Sequence, residues 1–303
     1  MGDARGERQM FDDQTEVAIT ESTSTKKFNR SSMFPLALLV SLATLNVRGL
    51  GNESNYKELN SDCDKFHCDI ISLQETKVSD SFEQVFRDSG NKLITFNQTD
   101  LSVTRKNGKE QINPIHQRGI CFMISKRMLP CITVINQISD NVAYIELELP
   151  SKSGKVTKCR VVNAYGPTTP TAADKKAVKI IDGVRYTGGK AIVKKYYSEL
   201  STAISVPKNY ELFLCGDFNA KVGKLSKSDI ELGVSDHVGK FCIGTRNPNG
   251  SKLLDFLIMN DLFLANTAFQ HKSRHLTTRT GWVKDWADPD SDKSKYFSTW
   301  TLV

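Results

Sequence analysis

The sequence predicts an α/β layered domain, and three observations carry that prediction. Short apolar runs such as DIISLQE (69–75) and GICFMIS (119–125) read as buried strands, because strands covered on both faces are apolar throughout. Stretches free of Gly and Pro near 55–67, 79–89 and 191–205 suit helices between them. The runs from about 119 to 165 follow one another with no helix between, so the order is not a strict βαβ alternation.

The remaining elements follow in chain order. Residues 1–32, with TESTSTKKFNRSS as their clearest part, lack periodicity and are expected to be a disordered polar tail. The run from 36 to 47 reads as the first strand. MFPLALLVSLATLNV (33–47) follows Lys26, Lys27 and Arg30 like a signal anchor, but Ser41 and Thr44 interrupt it and it is short for a span. No membrane partner is therefore expected. KLITF (92–96) is a strand, and 97–117 reads as a polar loop. ITVINQI, VAYIELEL and VTKCRVVNAYG read as successive strands, with the alternation in VAYIELEL predicting one wet face. Residues 166–190 read as a connection rich in Pro, Thr, Lys and Gly. SKLLDFLIMN (251–260) has helical spacing, and LFLAN (262–266) reads as a short strand.

Composition bounds the function. The chain has 303 residues, 39% of them hydrophobic, and a net charge of +7. That charge favours polyanionic partners without identifying one. Seven cysteines form no CxxC pair, and Cys121, Cys159 and Cys215 sit inside apolar runs. A zinc cluster or disulfide framework is therefore not expected, and a reducing compartment is.

Three strands end on oxygen donors. LATLNVRG ends at Asn46, IISLQETK at Glu75, and LFLCGDFNAK at Asp217 and Asn219. VVNAYGPT ends on Tyr165 in the same manner. Ligands of open α/β sheets gather beyond the carboxyl ends of strands. Hard oxygen donors suit Mg²⁺ or Mn²⁺ rather than zinc. The chemistry that fits is phosphodiester cleavage, with Glu75 and Asn46 as metal ligands, Asp217 accepting a proton from the attacking water or orienting it, and Asn219 and Tyr165 holding the phosphate. Each residue taken singly also reads as a turn or cap residue; the ordered set is the signal.

The set LNVRGL, SLQETK, RGICFMIS, VVNAYGPT and LCGDFNAKVG resembles the endonuclease/exonuclease/phosphatase superfamily. It is most similar to the apurinic-type endonuclease domains of non-LTR retrotransposons and to craniofacial development protein 2-like proteins. The segment beginning RNPNGSKLLDFLIMN extends the likeness, which covers about residues 36–286. The resemblance implies a four-layer α/β sandwich over residues 33–303 and a magnesium-dependent nuclease acting on DNA.

The pattern also departs from the family. Its downstream Asp and terminal Asp-His pair have no counterpart before the chain closes on YFSTWTLV. The expectation is thus a C-terminally truncated domain lacking its final strands, with exposed strand edges that DPDSDKSKYFSTWTLV does not obviously replace. Impaired cleavage is expected with it. The SDH at Ser235, Asp236 and His237 lies too early and reads as a loop decoy. His271 and His275, though four apart, read as loop residues rather than a metal site.

Lys175, Lys176, Lys179, Lys190, Lys194 and Lys195 lie in and after the 166–190 connection, and Arg118, Arg246, Arg274 and Arg279 in other loops. Arg118 and Lys221 are the substrate-binding candidates, gripping the DNA backbone electrostatically. A monomer without a small-molecule cofactor is expected, located in the nucleus, with the cytoplasm as the alternative. Two other readings stand: a nucleic-acid-binding protein without catalysis, and a phosphatase acting on small phosphoesters.

Overall fold

A computed structural model of the chain describes residues 40–50, 53–115, 118–150, 155–168, 178–270 and 301–302. The expected polar tail at 1–32, together with Lys175, Lys176, His271, Arg274, His275 and Arg279, lies outside the described residues.

The first half contributes β1 (Leu42–Asn46), α1 (Glu53–Lys65), β2 (Ile70–Gln74), β3 (Glu83–Val85), β4 (Lys92–Thr95), β5 (Leu101–Lys106), β6 (Lys109–Pro114) and β7 (Ile120–Ile124). The second contributes β8 (Ile132–Ser139), β9 (Val142–Pro150), β10 (Val156–Tyr165), β11 (Val178–Ile181), β12 (Val184–Thr187), α2 (Gly189–Ile204), β13 (Tyr210–Asp217), α3 (Lys227–Glu231), α4 (Pro248–Met259) and β14 (Thr301–Leu302). One sheet runs β1-β2-β7-β4-β3 and a second β14-β13-β10-β9-β8.

Three apolar clusters show how these pieces stack. Leu59 and Cys63 of α1 pack against Ile71, Leu73, Leu93, Cys121 and Met123 on the outer face of the first sheet. Its inner face, with Ile70, Phe122 and Ile124, meets Ala143, Ile145, Val161 and Cys215 of the second sheet. The outer face of that sheet, through Val162 and Leu214, carries Tyr196, Leu200 and Ala203 of α2 and Leu253, Leu254 and Leu257 of α4. The order is helix, sheet, sheet, helix, which is the expected four-layer α/β sandwich. Odd and even positions of β2 and β10 serve opposite layers, as strand alternation requires. Both faces being covered explains the uninterrupted apolar runs.

Two parallel pairings set up the site. β1 lies parallel to β2 with Asn46 level with Gln74, and β10 lies parallel to β13 with Tyr165 level with Asp217. Helices α1 and α2 are the crossovers that parallel pairing needs. All four strands therefore end on the same side of their sheets.

Several elements differ from the sequence expectation. Residues 79–89 hold no helix among the described residues: β3 pairs with β4 at the sheet edge. Phe82 and Phe86 pack on the α1 layer there, and the Thr95 hydroxyl accepts the Phe82 amide at 2.8 Å. The polar stretch 97–117 is not a loop but the hairpin β5–β6, turned at Asn107–Gly108 with φ of 51 and 75. The 166–190 connection holds a second hairpin, β11–β12, turned at Asp182–Gly183 with φ of 50 and 75. Together they form a third sheet, β12-β11-β5-β6. Positive φ at both turn residues is what Asn-Gly and Asp-Gly supply at tight hairpins.

The wet face expected on β9 is covered at Glu146 and stays open at Glu148. Glu146 is 9% exposed and ion-paired with Arg160 of β10, whose Nη1 also donates to the Ala203 and Ser205 carbonyls at the end of α2, 2.9 Å each. LFLAN forms a single bridge from Leu264 to Val238 and a 3-10 turn over Ala265–Thr267 rather than a strand. At the edge of β13, Cys215 and Gly216 pair antiparallel with the two residues of β14. Closing residues thus supply an edge strand that the sequence did not suggest. All seven cysteines are free thiols. Among the described residues no helix is long and apolar enough to cross a membrane.

Candidate active site

Gly216 delivers the acid at the end of β13. Its φ is +153, and a Cβ there would stand 1.9 Å from the Ala164 carbonyl oxygen. Only glycine lets β13 press this closely on β10. Asp217 then points toward the end of β1, where its Oδ2 accepts from Asn46 Nδ2 at 3.0 Å. Its Oδ1 accepts the Asn219 backbone amide at 3.0 Å. Asn46 Oδ1 in turn accepts the Arg48 amide at 3.1 Å.

Glu75 follows β2. Its Oε1 accepts the Tyr165 hydroxyl at 2.7 Å, a bond that crosses from one sheet to the other. Burial, then the Glu75 hydrogen bond and charge, push the Tyr165 phenol well above its usual range, so it stays a neutral donor. Asn219 donates Nδ2 to the Gly166 carbonyl at 2.8 Å, joining the turn after β13 to the turn after β10.

Arg48, Glu75, Lys77 and Asn219 all hold positive φ, between 47 and 55. Left-handed backbone at non-glycine residues is costly and persists where the surroundings over-determine it, as at functional sites. Beneath the site lies a buried polar clamp between the sheets. Asn163 donates Nδ2 to the Leu73 and Cys121 carbonyls at 3.0 and 2.8 Å, and its Oδ1 accepts from Gln74 Nε2 at 2.7 Å. Both side chains are fully buried.

The structure thus brings Asn46, Glu75, Tyr165, Asp217 and Asn219 into one connected group. The two substrate-binding candidates stand differently. Arg118 is committed inward, its Nη1 reaching Asn141 Oδ1 at 3.1 Å and Asp100 Oδ2 at 3.5 Å. Its backbone carbonyl accepts the Lys77 amide at 2.7 Å, so it braces the Glu75 turn from behind. Lys221 is half-buried, and its backbone amide donates to Asn247 Oδ1 at 2.9 Å. Of the other basic residues, Lys195 pairs with Asp182 and Glu199, and Arg246 with Asp229. His237 packs its Nδ1 against the Leu262 carbonyl at 3.0 Å.

No group of three or more His, Cys, Asp or Glu that could hold a metal stands among the described residues. The donors on offer are two carboxylates, Glu75 and Asp217, and the amide oxygen of Asn46. An all-oxygen set with one or two carboxylates is what Mg²⁺ takes, the remainder coming from water and phosphate.

Sequence reasoning missed Gln74 and Asn163, whose polarity inside apolar strands was a visible signal. It also assigned no role to Asn247 and Asn249 of the RNPNG segment, which hold the turn after β13.

A sandwich of two mixed sheets, with its polar residues gathered at the ends of parallel strands, defines an α/β protein built around a strand-end site. The chain belongs to the Endonuclease/Exonuclease/phosphatase family, whose family model matches residues 43–290. Craniofacial development protein 2 of Tragulus javanicus is 26% identical over 250 residues, covering 82% of this chain and 34% of that protein. The Bos taurus protein of the same name is 25% identical over 250 residues, covering 82% and 33%. The chain spans about a third of the length of these relatives. Among solved structures, the catalytic domain of Xenopus laevis APE2 aligns with a TM-score of 0.46 and 15% identity, over 86% of this chain and 81% of that one. An AP endonuclease from Archaeoglobus fulgidus aligns with a TM-score of 0.47 and 13% identity, over 87% and 85%.

Proposed function

We propose that this chain is a retrotransposon-derived endonuclease domain that hydrolyses phosphodiester bonds in DNA with Mg²⁺ or Mn²⁺, working as a monomer in the nucleus. The observation that carries the reading is the convergence of Asn46, Glu75, Tyr165, Asp217 and Asn219, drawn from four strand ends across both sheets. Family membership supports hydrolysis of a phosphoester.

In this reading Glu75 and Asn46 hold the cation, which when bound would polarise the phosphoryl oxygen and stabilise the departing oxyanion. Asp217, oriented by the Asn46 amide and the Asn219 backbone, takes the proton of the attacking water at its carboxylate. In this reading the Asn219 amide, with one N–H given to Gly166, offers its second to a phosphate oxygen, and the Tyr165 hydroxyl, given to Glu75 in this structure, turns to the phosphate when substrate enters. The net charge of +7 favours a polyanionic substrate.

Nicking of supercoiled plasmid in Mg²⁺ tests the reading. Nicking that disappears in Glu75→Ala supports it. DNA binding with no nicking would instead favour a non-catalytic binding protein. Release of inorganic phosphate from small phosphoesters, without nicking, would favour a phosphatase.

A further inference from the structure

Asn219 is a left-handed residue whose backbone must be held for its amide to reach Gly166 and its N–H to reach Asp217. Helix α4 supplies that hold. Asn249 Nδ2 donates both to the Asn219 carbonyl at 3.2 Å and to the Pro167 carbonyl at 2.7 Å. One side-chain amide therefore bridges the turns that follow β13 and β10. Asn247 caps α4 through Gly250 N at 2.7 Å, and the same Oδ1 accepts Lys221 N at 2.9 Å. The Asn247 backbone N–H returns a bond to the Lys221 carbonyl at 3.0 Å, and its side-chain Nδ2 reaches the Asn219 carbonyl at 3.4 Å. At Gly250 a Cβ would stand 1.8 Å from that carbonyl, so the start of the helix is pressed directly onto the turn.

Asn249 is 3% exposed, and its Oδ1 has no hydrogen-bond partner among the described residues. Stability alone does not favour such a residue, since a buried acceptor left unpaired is costly. What the amide does provide is a donor aimed at two carbonyls at once. The body of α4 is anchored in the core through Leu253, Leu254 and Leu257, so the clamp is rigid at its far end.

We infer that Asn249 is a positioning residue that sets the Asp217–Asn219 turn against the Gly166–Pro167 turn. The inference rests on the reading of Asp217 and Asn219 as the water- and phosphate-handling pair. Asn249 touches neither substrate nor cation; it acts through the backbone of Asn219.

The experiment compares the full chain with its Asn249→Ala variant, and with Glu146→Gln as a control that loosens a distant buried pair. Plasmid nicking gives kcat and KM. Backbone amide exchange by NMR at Asn219 and Lys221 reads the turn whether or not the domain nicks. The expected result for Asn249→Ala is a kcat lower by roughly 10- to 100-fold with KM within about threefold, since small misplacements of reacting groups carry penalties of that size. Exchange at Asn219 and Lys221 should accelerate at least about tenfold, with Val161 and Val162 unchanged, and the control should show neither effect. An unchanged kcat, or a loss of activity matched by Glu146→Gln, would overturn the inference. If the full chain does not nick, the endonuclease reading fails and exchange decides the positioning role alone. Acceleration confined to Asn219 and Lys221 then upholds the clamp, and uniform or absent acceleration overturns it.

Discussion

The Tyr165 hydroxyl donates to Glu75 Oε1 at 2.7 Å, tying the end of β10 in one sheet to the end of β2 in the other. Glu75 sits in left-handed backbone with φ of 53, and this bond selects one orientation for its carboxylate. Tyr165→Phe removes the donor while leaving the ring. We expect the nicking rate at saturating Mg²⁺ to fall about tenfold, and the Mg²⁺ concentration for half-maximal rate to rise, because the carboxylate loses its preorganisation. A Mg²⁺ titration of plasmid nicking checks both. An unchanged titration would mean that the bond is incidental.

The clamp below makes a prediction about stability rather than chemistry. Asn163 donates to the Leu73 and Cys121 carbonyls and accepts from Gln74 in a fully buried layer. Asn163→Leu keeps the volume but takes three bonds out of this buried layer, those to the Leu73 and Cys121 carbonyls and that from Gln74, which keeps its bonds to Ser72 and Thr44. We expect a loss of about 2–4 kcal/mol, read as a lower urea midpoint at unchanged slope. A midpoint equal to that of the parent chain would show that the Leu73 and Cys121 carbonyls lose the Asn163 amide without cost.

How much of this was legible depends on which physics each segment obeys. The core strands and the helices α1, α2 and α4 were legible because both sheet faces are covered, so β2, β7, β10 and β13 carry apolar residues on both faces. The site group was legible because its members follow those strands directly. Residues 79–89 were misread because strand β3 is short and lies at an edge, where Phe82 and Phe86 pack on α1 at a spacing that also fits a helix. The third sheet was missed because little of it is buried; β6 is exposed along its whole length and β12 nearly so, and no apolar period marks either. Its turns were marked, by Asn107–Gly108 and Asp182–Gly183, and a reading led by turn chemistry would have found both hairpins. The dry side of β9 was missed because Glu146 looks solvent-bound until Arg160 and α2 are in place.

Asp100 offers a pH-dependent test. It is 2% exposed, and burial raises its carboxyl to about 7, with Asp140 adding to the shift and Arg118 opposing it. A carboxyl that binds its proton more tightly when folded favours the folded state most at low pH. That contribution is lost as pH rises from the ordinary carboxylate range, near 3.8, to about 7. Asp100→Asn cannot ionise and can still present an oxygen to Arg118. We therefore expect the stability of the variant relative to the parent to increase between pH 5 and pH 8. Urea unfolding of both chains at pH 5, 6.5 and 8 measures the difference, in which the other titrating groups cancel. A difference that stays flat with pH, or moves the other way, would mean that Asp100 is already ionised throughout that range.

Gly216 links backbone geometry to chemistry most directly. With φ of +153 and the Ala164 carbonyl 1.9 Å from where a Cβ would sit, the clash is with backbone and no rotamer relieves it. Gly216→Ala must push β13 off β10 or rotate the peptide that carries Asp217. Either movement breaks the 2.7 Å bond from the Gly166 amide to the Asp217 carbonyl and draws the Asp217 carboxylate away from Asn46. We expect a loss of about 3 kcal/mol or more, seen as a melting temperature lower by roughly 6–12 °C. Nicking should fall further than the folded fraction does, because Asp217 is displaced even in molecules that remain folded. Circular dichroism melting and nicking on the same preparation separate the two effects. A variant that melts lower but nicks in proportion to its folded fraction would place Gly216 in the packing of the sheet alone and leave Asp217 oriented by Asn46 and Asn219.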